Sequence, residues 1–387
     1  MISTVINMTK EGSQIFDQFK RLPNELKPIK KALQQKKETV TDVSNLTNHE
    51  AKLVQSIKSQ TRENNLNNIT RTKAYLDFFK RNPAIEWAFL AHMVSRNAGW
   101  NMTDLKGSLL TRLMTKEQQE YFFAFLERSN WLIFHDAYPQ LLLYEESIRT
   151  NKNQFYLLPQ FGISYFMQVM WDIYYQKRDN YQLSVALIIN EQNYIEDRVI
   201  QNKDYQATLM ESLEFKVQEL LELNQILFPF SDEKQVKMIG QSVHQFASLK
   251  ERILLGKRLY QLLFDDEFFS NIYDMALRQP HTGSRKDYWP YIFNDINESN
   301  PGEPFQESLS NCKLIPGANR LYSPTLENAW SNVEQKPAEK GDWYSDWEVI
   351  HYLRKDPSKV NGNIYEEYCE SLEKVELAIL AKGPMSK

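Results

Sequence analysis

Only 12 glycines occur in 387 residues. Turns between strands call repeatedly for positive φ, which glycine reaches without steric cost, so a chain this poor in glycine is directed toward helices. The apolar spacing agrees. Thr47 with Glu50 three residues on forms a capping box before "EAKLVQSIKSQT". "ITRTKAYLDFFKR" follows and stops before Pro83. "EWAFLAHMVSRNAGWNMTDLKG", Glu86 to Gly107, reads as a helix broken by a turn at Gly99-Trp100, after which Thr103 caps a short helix. Thr115 with Gln118 opens "KEQQEYFFAFLERSNWLIFHDAY", and Pro139 marks a junction ahead of "QLLLYEESIR". Helices are expected at "ISYFMQVMWDIYYQKR", "QLSVALIINEQNYIEDRVIQN" and "YQATLMESLEFKVQELLELNQILF". The last of these ends at Pro229, and Ser231 then caps the next stretch. "FASLKERILLGKRLYQLLF", "EFFSNIYDMALR", "WYSDWEVIHYLRK" and "NIYEEYCESLEKVELAILAK" complete the set.

The expected fold is all-α: an irregular multi-helix globular domain of roughly a dozen helices, with a long irregular excursion near 279–341 where Pro and Asn are frequent. Residues 1–46 read as a polar, loosely attached helical arm and 47–278 as the main helical domain. Residues 279–387 read as an irregular segment and C-terminal helices packed on it.

Aromatic residues reach 13% of the chain, which suits bulky helix-to-helix packing. The net charge of −4 gives no support for a basic nucleic-acid face, so nucleic acid is an unexpected partner. Cys312 and Cys369 read as reduced thiols of a cytosolic protein. The N-terminus shows no signal-peptide core, and no apolar run is long enough to span a bilayer, so a cytoplasmic protein is expected. Phosphate-loop, dinucleotide, nucleophile-elbow and zinc-protease signatures are absent from the sequence, and "EVIH" (Glu348, His351) is a lone Glu-x-x-His. No metal ligands and no particular cofactor are implied.

Three constellations carry polar groups where burial is expected. His92 and Arg96 are four apart on one helix face, with Glu86 and Asn97 on a neighbouring face and Asp104 beyond. A buried unpaired ion costs several kcal/mol, so these groups require partners elsewhere. In "LIINEQNYIEDRV", Glu191 follows an apolar run and Glu196 and Arg198 continue the polar set. Glu191 meeting His92 or Arg96 would make an acid–base pair tuned by burial. In "RQPHTGSRKDYWPYIF", His281, Ser284 and Arg285 sit at a capped helix start, a natural anion site. The bland reading of all three is interhelical pairing that fixes packing.

"TRTKAYLDFF", "EWAFLAHMVSRNAGWNMTDLKG", "IINEQNYIEDRV" and "PHTGSRKDYWP" together resemble the YppC-like family, a domain of unknown function from spore-forming Gram-positive bacteria. The resemblance covers about residues 45–355 and implies a non-secreted bacterial protein. It implies no reaction, cofactor or catalytic residue.

The expected function is therefore binding of a protein partner or a small anionic ligand. The alternative is an enzyme with an internal polar pocket. There His92 and Glu191 would be acid and base, with Arg96 and Arg285 clamping a phosphorylated or other anionic substrate. Glu86, Asn97, Asp104, Glu196, Arg198, His281 and Ser284 would line the site.

Overall fold

A computed structural model describes residues 22–35, 46–203, 225–232, 235–243, 245–299, 304–355 and 360–382. The helix α1 (Lys27–Gln34) buries Ile29 and Leu33 in the main core. The helix α2 (Asn48–Asn64) starts at the expected box: Thr47 Oγ1 accepts from Glu50 N–H, and the Glu50 carboxylate accepts from Thr47 N–H. Next come α3 (Asn68–Arg81) and α4 (Trp87–Asp104), packed closely against each other. α4 is buried on almost every face, its polar residues included, which fits a helix surrounded by others. After α5 (Leu110–Leu113), the box at Thr115 and Gln118 opens α6 (Lys116–Arg149). A 3₁₀ segment, Phe155–Phe161, leads to α7 (Tyr165–Lys177) and α8 (Asn180–Ile195), and a π-turn, Glu196–Ile200, ends this half.

The chain is mostly helical but not all-α. Strands β1 (Gln225–Asp232) and β2 (Gln235–Ser242) form an antiparallel hairpin that pairs Leu227 with Gly240 and Pro229 with Met238. Gln225–Phe228 and Ser231, expected as a helix end and a cap, are strand. The reason is tertiary. Asn97 of α4 donates from its side-chain amide to Leu227 O and accepts from Leu227 N–H, both near 2.9 Å, so a distant residue completes the strand's hydrogen bonding. The rest of that expected helix, residues 205–224, lies outside the described residues.

The helices α9 (Leu249–Leu263) and α10 (Phe269–Arg278) follow as expected. The irregular excursion holds short strands β3 (Phe293–Asn294), β4 (Leu309–Ser310), β5 (Lys313–Leu314) and β6 (Leu321–Tyr322) and the single turn α11 (Leu326–Ala329). β3 pairs with β6 in parallel and β4 with β5 antiparallel. Trp347–Leu353, expected as α-helix, is 3₁₀, and α12 (Tyr365–Lys382) is the last described helix.

Three further expectations are corrected. α4 runs through Gly99-Trp100 without a turn. Its glycine serves close approach instead, since a Cβ there would collide with the Asn68 side chain and the His281 ring. α6 runs through Pro139. Proline removes one helical hydrogen bond, and here buried Ala137, Tyr138, Leu141 and Leu142 on both sides hold the helix in line. Cys312 and Cys369 are joined as a disulfide rather than left as thiols, with Cα atoms 5.2 Å apart. Their separation of 57 residues hides the fold-over that pairs them. Glu376 of α12 accepts from Ser308 and Leu309 N–H at 3.0 and 3.1 Å, and this lays the β4–β5 hairpin on the helix. Asn311 and Cys312, with φ of 50° and 61°, make its tight turn.

Candidate functional site

Two buried polar centres and one open cleft carry the chemistry-bearing groups. The first centre lies where α3, α4 and the loop after α10 meet. His92 Nδ1 is 2.8 Å from the Thr72 carbonyl, which can only accept. The imidazole proton therefore sits on Nδ1, and Nε2 is a buried lone pair with no hydrogen-bond partner. Asn68 Nδ2 donates to Ser95 O at 2.9 Å, so Asn68 Oδ1 faces His281 Nε2 at 2.8 Å as acceptor. His281 Nδ1 then points to the Asp287 carboxylate at 3.6 Å. Burial, reinforced by the Arg96 charge, holds His92 well below the usual histidine range. Burial pushes His281 down to about 4, the nearby Asp287 only partly opposing it.

Arg96 is 1% exposed. Its Nη2 donates to Gln279 O at 2.9 Å and makes a longer bond to Pro280 O. These carbonyls follow the C-terminus of α10, the negative end of its dipole, so the guanidinium caps that helix rather than pairing with a carboxylate. Burial lowers Arg96 to about 10, and it stays charged.

The second centre lies between α6 and α8. Asp136 Oδ2 accepts from Asn190 Nδ2 at 2.5 Å and from Gln140 Nε2 at 2.9 Å, while Oδ1 has no partner. Trp343 and Ser164 donate to Asn190 Oδ1, and Trp171 donates to Gln140 Oε1. Glu191 sits next door. It is partly open at its outer side, but its carboxyl lies deep enough to interact with Asp136 and with the Trp87 indole. Burial pushes both carboxyls up to about 7. The buried Tyr75 hydroxyl close by has no hydrogen-bond partner.

The remaining expected site residues are engaged one by one. Arg285 holds Asp104 through Nε at 2.8 Å and Nη2 at 2.5 Å, and its Nη1 donates to the Tyr288 and Tyr368 hydroxyls. Ser284 donates to Ser323 O at 2.6 Å and caps the 3₁₀ turn Arg285–Asp287. Glu86 accepts from Tyr260 and Asn180, and Glu196 pairs with Arg252. Arg198 donates to Tyr194 O, Glu339 O and Gly341 O. His92, Arg96 and His281 thus come together with Asp287. The hydrogen bonds of Glu191 go to other groups than His92 or Arg96. Among the described residues, no three His, Cys, Asp or Glu side chains gather as a metal site would require.

The cleft is what sequence reasoning missed. It has a volume of about 780 Å³ and lies between α2, α6, the Phe155–Phe161 turn and residues 332–337. Lys58 and Arg62 of α2, Trp131, His135 and Pro139 of α6, and Phe161 line it. The Trp131 and His135 rings stack with centroids 4.9 Å apart and planes at 16°. Burial, then the charges of Arg128, Lys58 and Arg198, lowers His135 below the usual histidine range, and its Nδ1 is buried without a partner. The opposite wall is an extended strap. Trp330 stacks on Phe123, Asn332 accepts from Asn67, and Arg128 donates to Lys336 O at 2.6 Å. The i,i+4 pairs Lys58/Arg62 and Trp131/His135 were visible in the sequence, but nothing there joins α2 to α6.

The profile of a family described as "Protein of unknown function (DUF2515)" matches residues 63–366. The chain belongs to this family. An uncharacterised protein of Bacillus subtilis (strain 168), YppC, is 47% identical over 236 residues, which cover 61% of this chain and 73% of that protein. No solved structure matches. The DUF2515 segment contains both buried centres and the α6 wall of the cleft, whereas Lys58 and Arg62 precede it. No helix among the described residues is long and apolar enough to cross a membrane.

Proposed function

We propose that the protein acts by binding a small ligand in the cleft between α2, α6 and the strap. The observation that carries this reading is the cleft itself: about 780 Å³, with apolar surface from Leu66, Trp131, Pro139, Phe161 and Val333 interrupted by polar and charged side chains. That is the size and lining of small-molecule sites. The buried centres, by contrast, have most of their hydrogen-bonding capacity used within the fold. The test is a fragment screen by saturation-transfer NMR on the full chain and on Val333→Trp, which would fill the cleft from an exposed position. Fragments that bind the native chain and not the variant support the reading. A screen with no hits, or with identical hits on both proteins, would sink it.

A second reading, catalysis at the first centre with His92 as the acid–base group and Arg96 as anion clamp, Glu191 lying apart in the second centre, is favoured by one observation. His92 Nε2 and His281 Nδ1 are buried with no hydrogen-bond partner. If a phosphate ester is hydrolysed by the native chain and not by His92→Gln, the second reading displaces the first. Action in the cytoplasm is part of the proposal. Its check is cell fractionation of the full chain, because the Cys312–Cys369 disulfide is a bond more usual in oxidising compartments; recovery outside the cytoplasm would remove this part of the proposal.

A further inference from the structure

We infer that the ligand of the cleft is a flat apolar anion that also carries a hydrogen-bond donor. This rests on the cleft being the ligand site. Each of the three properties answers a separate feature of the walls.

The flat apolar body answers the His135 ring, which stacks on Trp131 while Arg128 lies over the Trp131 ring, with Pro139 and Phe161 also lining the cleft. Planar faces favour planar ligands by offset stacking. The anion answers α2. Lys58 and Arg62 lie one helical turn apart, both exposed, and neither has an ion pair among the described residues. The Lys58 ammonium lies 5.9 Å from the centre of the Phe161 ring, which puts cationic charge beside the apolar wall. The carboxylate among the lining residues belongs to Glu334, on the strap, so the anionic end of the ligand is directed toward α2.

The donor answers Pro139. A helical N–H at position 139 would bond the carbonyl of residue 135, and proline has none. The His135 carbonyl is therefore freed from the helix ladder between two residues that both line the cleft. His135 Nδ1 also lacks a partner. A neutral imidazole nitrogen and a free carbonyl on the same residue can both receive a ligand N–H or O–H.

Indole carboxylate has all three properties, indole lacks the anion, N-methylindole carboxylate lacks the donor, and acetate lacks the body. Isothermal titration of the full chain with these four compounds tests the inference. Indole carboxylate should bind tightest, with indole and the N-methyl compound each about tenfold weaker, and acetate should give no heat. Arg62→Gln should weaken indole carboxylate by about tenfold and leave indole unchanged. If indole equals indole carboxylate, or Arg62→Gln changes nothing, while Val333→Trp still blocks both, the cleft is a purely apolar site. The inference then falls and the proposed function stands. If none of the four binds but fragments do so in a Val333-sensitive way, the inference falls alone. If no fragment binds, both fall.

Discussion

The two buried centres solve the same problem with opposite materials. The centre at His92, Arg96 and His281 buries basic groups and surrounds them with acceptors: the Thr72, Gln279 and Pro280 carbonyls and Asn68 Oδ1. The centre at Asp136 and Glu191 buries acids and surrounds them with donors: the Asn190 and Gln140 amides and the Trp87 indole. Neither relies on a close ion pair, unlike Arg285 with Asp104 or Arg71 with Glu127. Dipoles from helix ends and side-chain amides can hold a titratable group in the core, but they leave its pKa moved toward the neutral form, fully so for the histidines and only in part for Arg96. The two regions should therefore respond to pH with opposite sign.

The most direct variant breaks the basic centre outright, at every pH. Gly99→Val places atoms where Asn68 and His281 already sit, so the folded state should lose about 3 kcal/mol, the upper range for overpacking. Urea unfolding at neutral pH measures this. An unchanged midpoint would mean that α3 and α4 are not locked at this point.

Asp136→Asn isolates the acid centre. In the native chain Asp136 is held at about 7 against an ordinary 3.8, so it takes up a proton on folding. Its contribution is fully present below about pH 4 and is lost as pH rises through about 7, on the order of 4 kcal/mol across that window. The variant should lack this decline. Parallel pH profiles for the two proteins would show that the carboxyl is already ionised in the fold.

His281→Gln isolates the basic centre, with a smaller effect than Asp136→Asn. His281 refuses a proton that its unfolded form accepts, being held at about 4 against 6.5. Its contribution is present above about pH 6.5 and is lost as pH falls through about 4, by about 3 kcal/mol. Removing it should steepen the native gain on acidification, because the opposing slope is gone. If both variants shift the profile in the same direction, the contrast between the centres is wrong.

Much of this was legible locally. The capping boxes at Thr47 and Thr115 set helix starts from residues three apart, and the apolar run around α4 announced a central helix. The need of His92, Arg96 and Glu86 for distant partners was also legible, because burial of such groups is costly wherever they sit. Which partners they find was not. Arg96 is met by backbone carbonyls, and a carbonyl leaves no mark in the side-chain sequence. The β1–β2 hairpin escaped because Asn97, far upstream, completes its hydrogen bonding. The Cys312–Cys369 pairing escaped because it depends on Glu376 seating a hairpin on α12. The cleft escaped for the same reason: its cations and its aromatic wall belong to helices that only the tertiary fold brings face to face.

The strap bordering the cleft is exposed and irregular, the kind of chain that proteases usually cut. Its backbone, however, is fixed at Lys336 by Arg128 and at Glu339 and Gly341 by Arg198, and Asn332 is tied to Asn67. Only Val333, Glu334 and Gln335 run free between the first two ties, too short a stretch to enter a protease without releasing one. Resistance to limited digestion here is set by two arginines rather than by exposure, so cleavage within 332–341 reports the loss of an anchor.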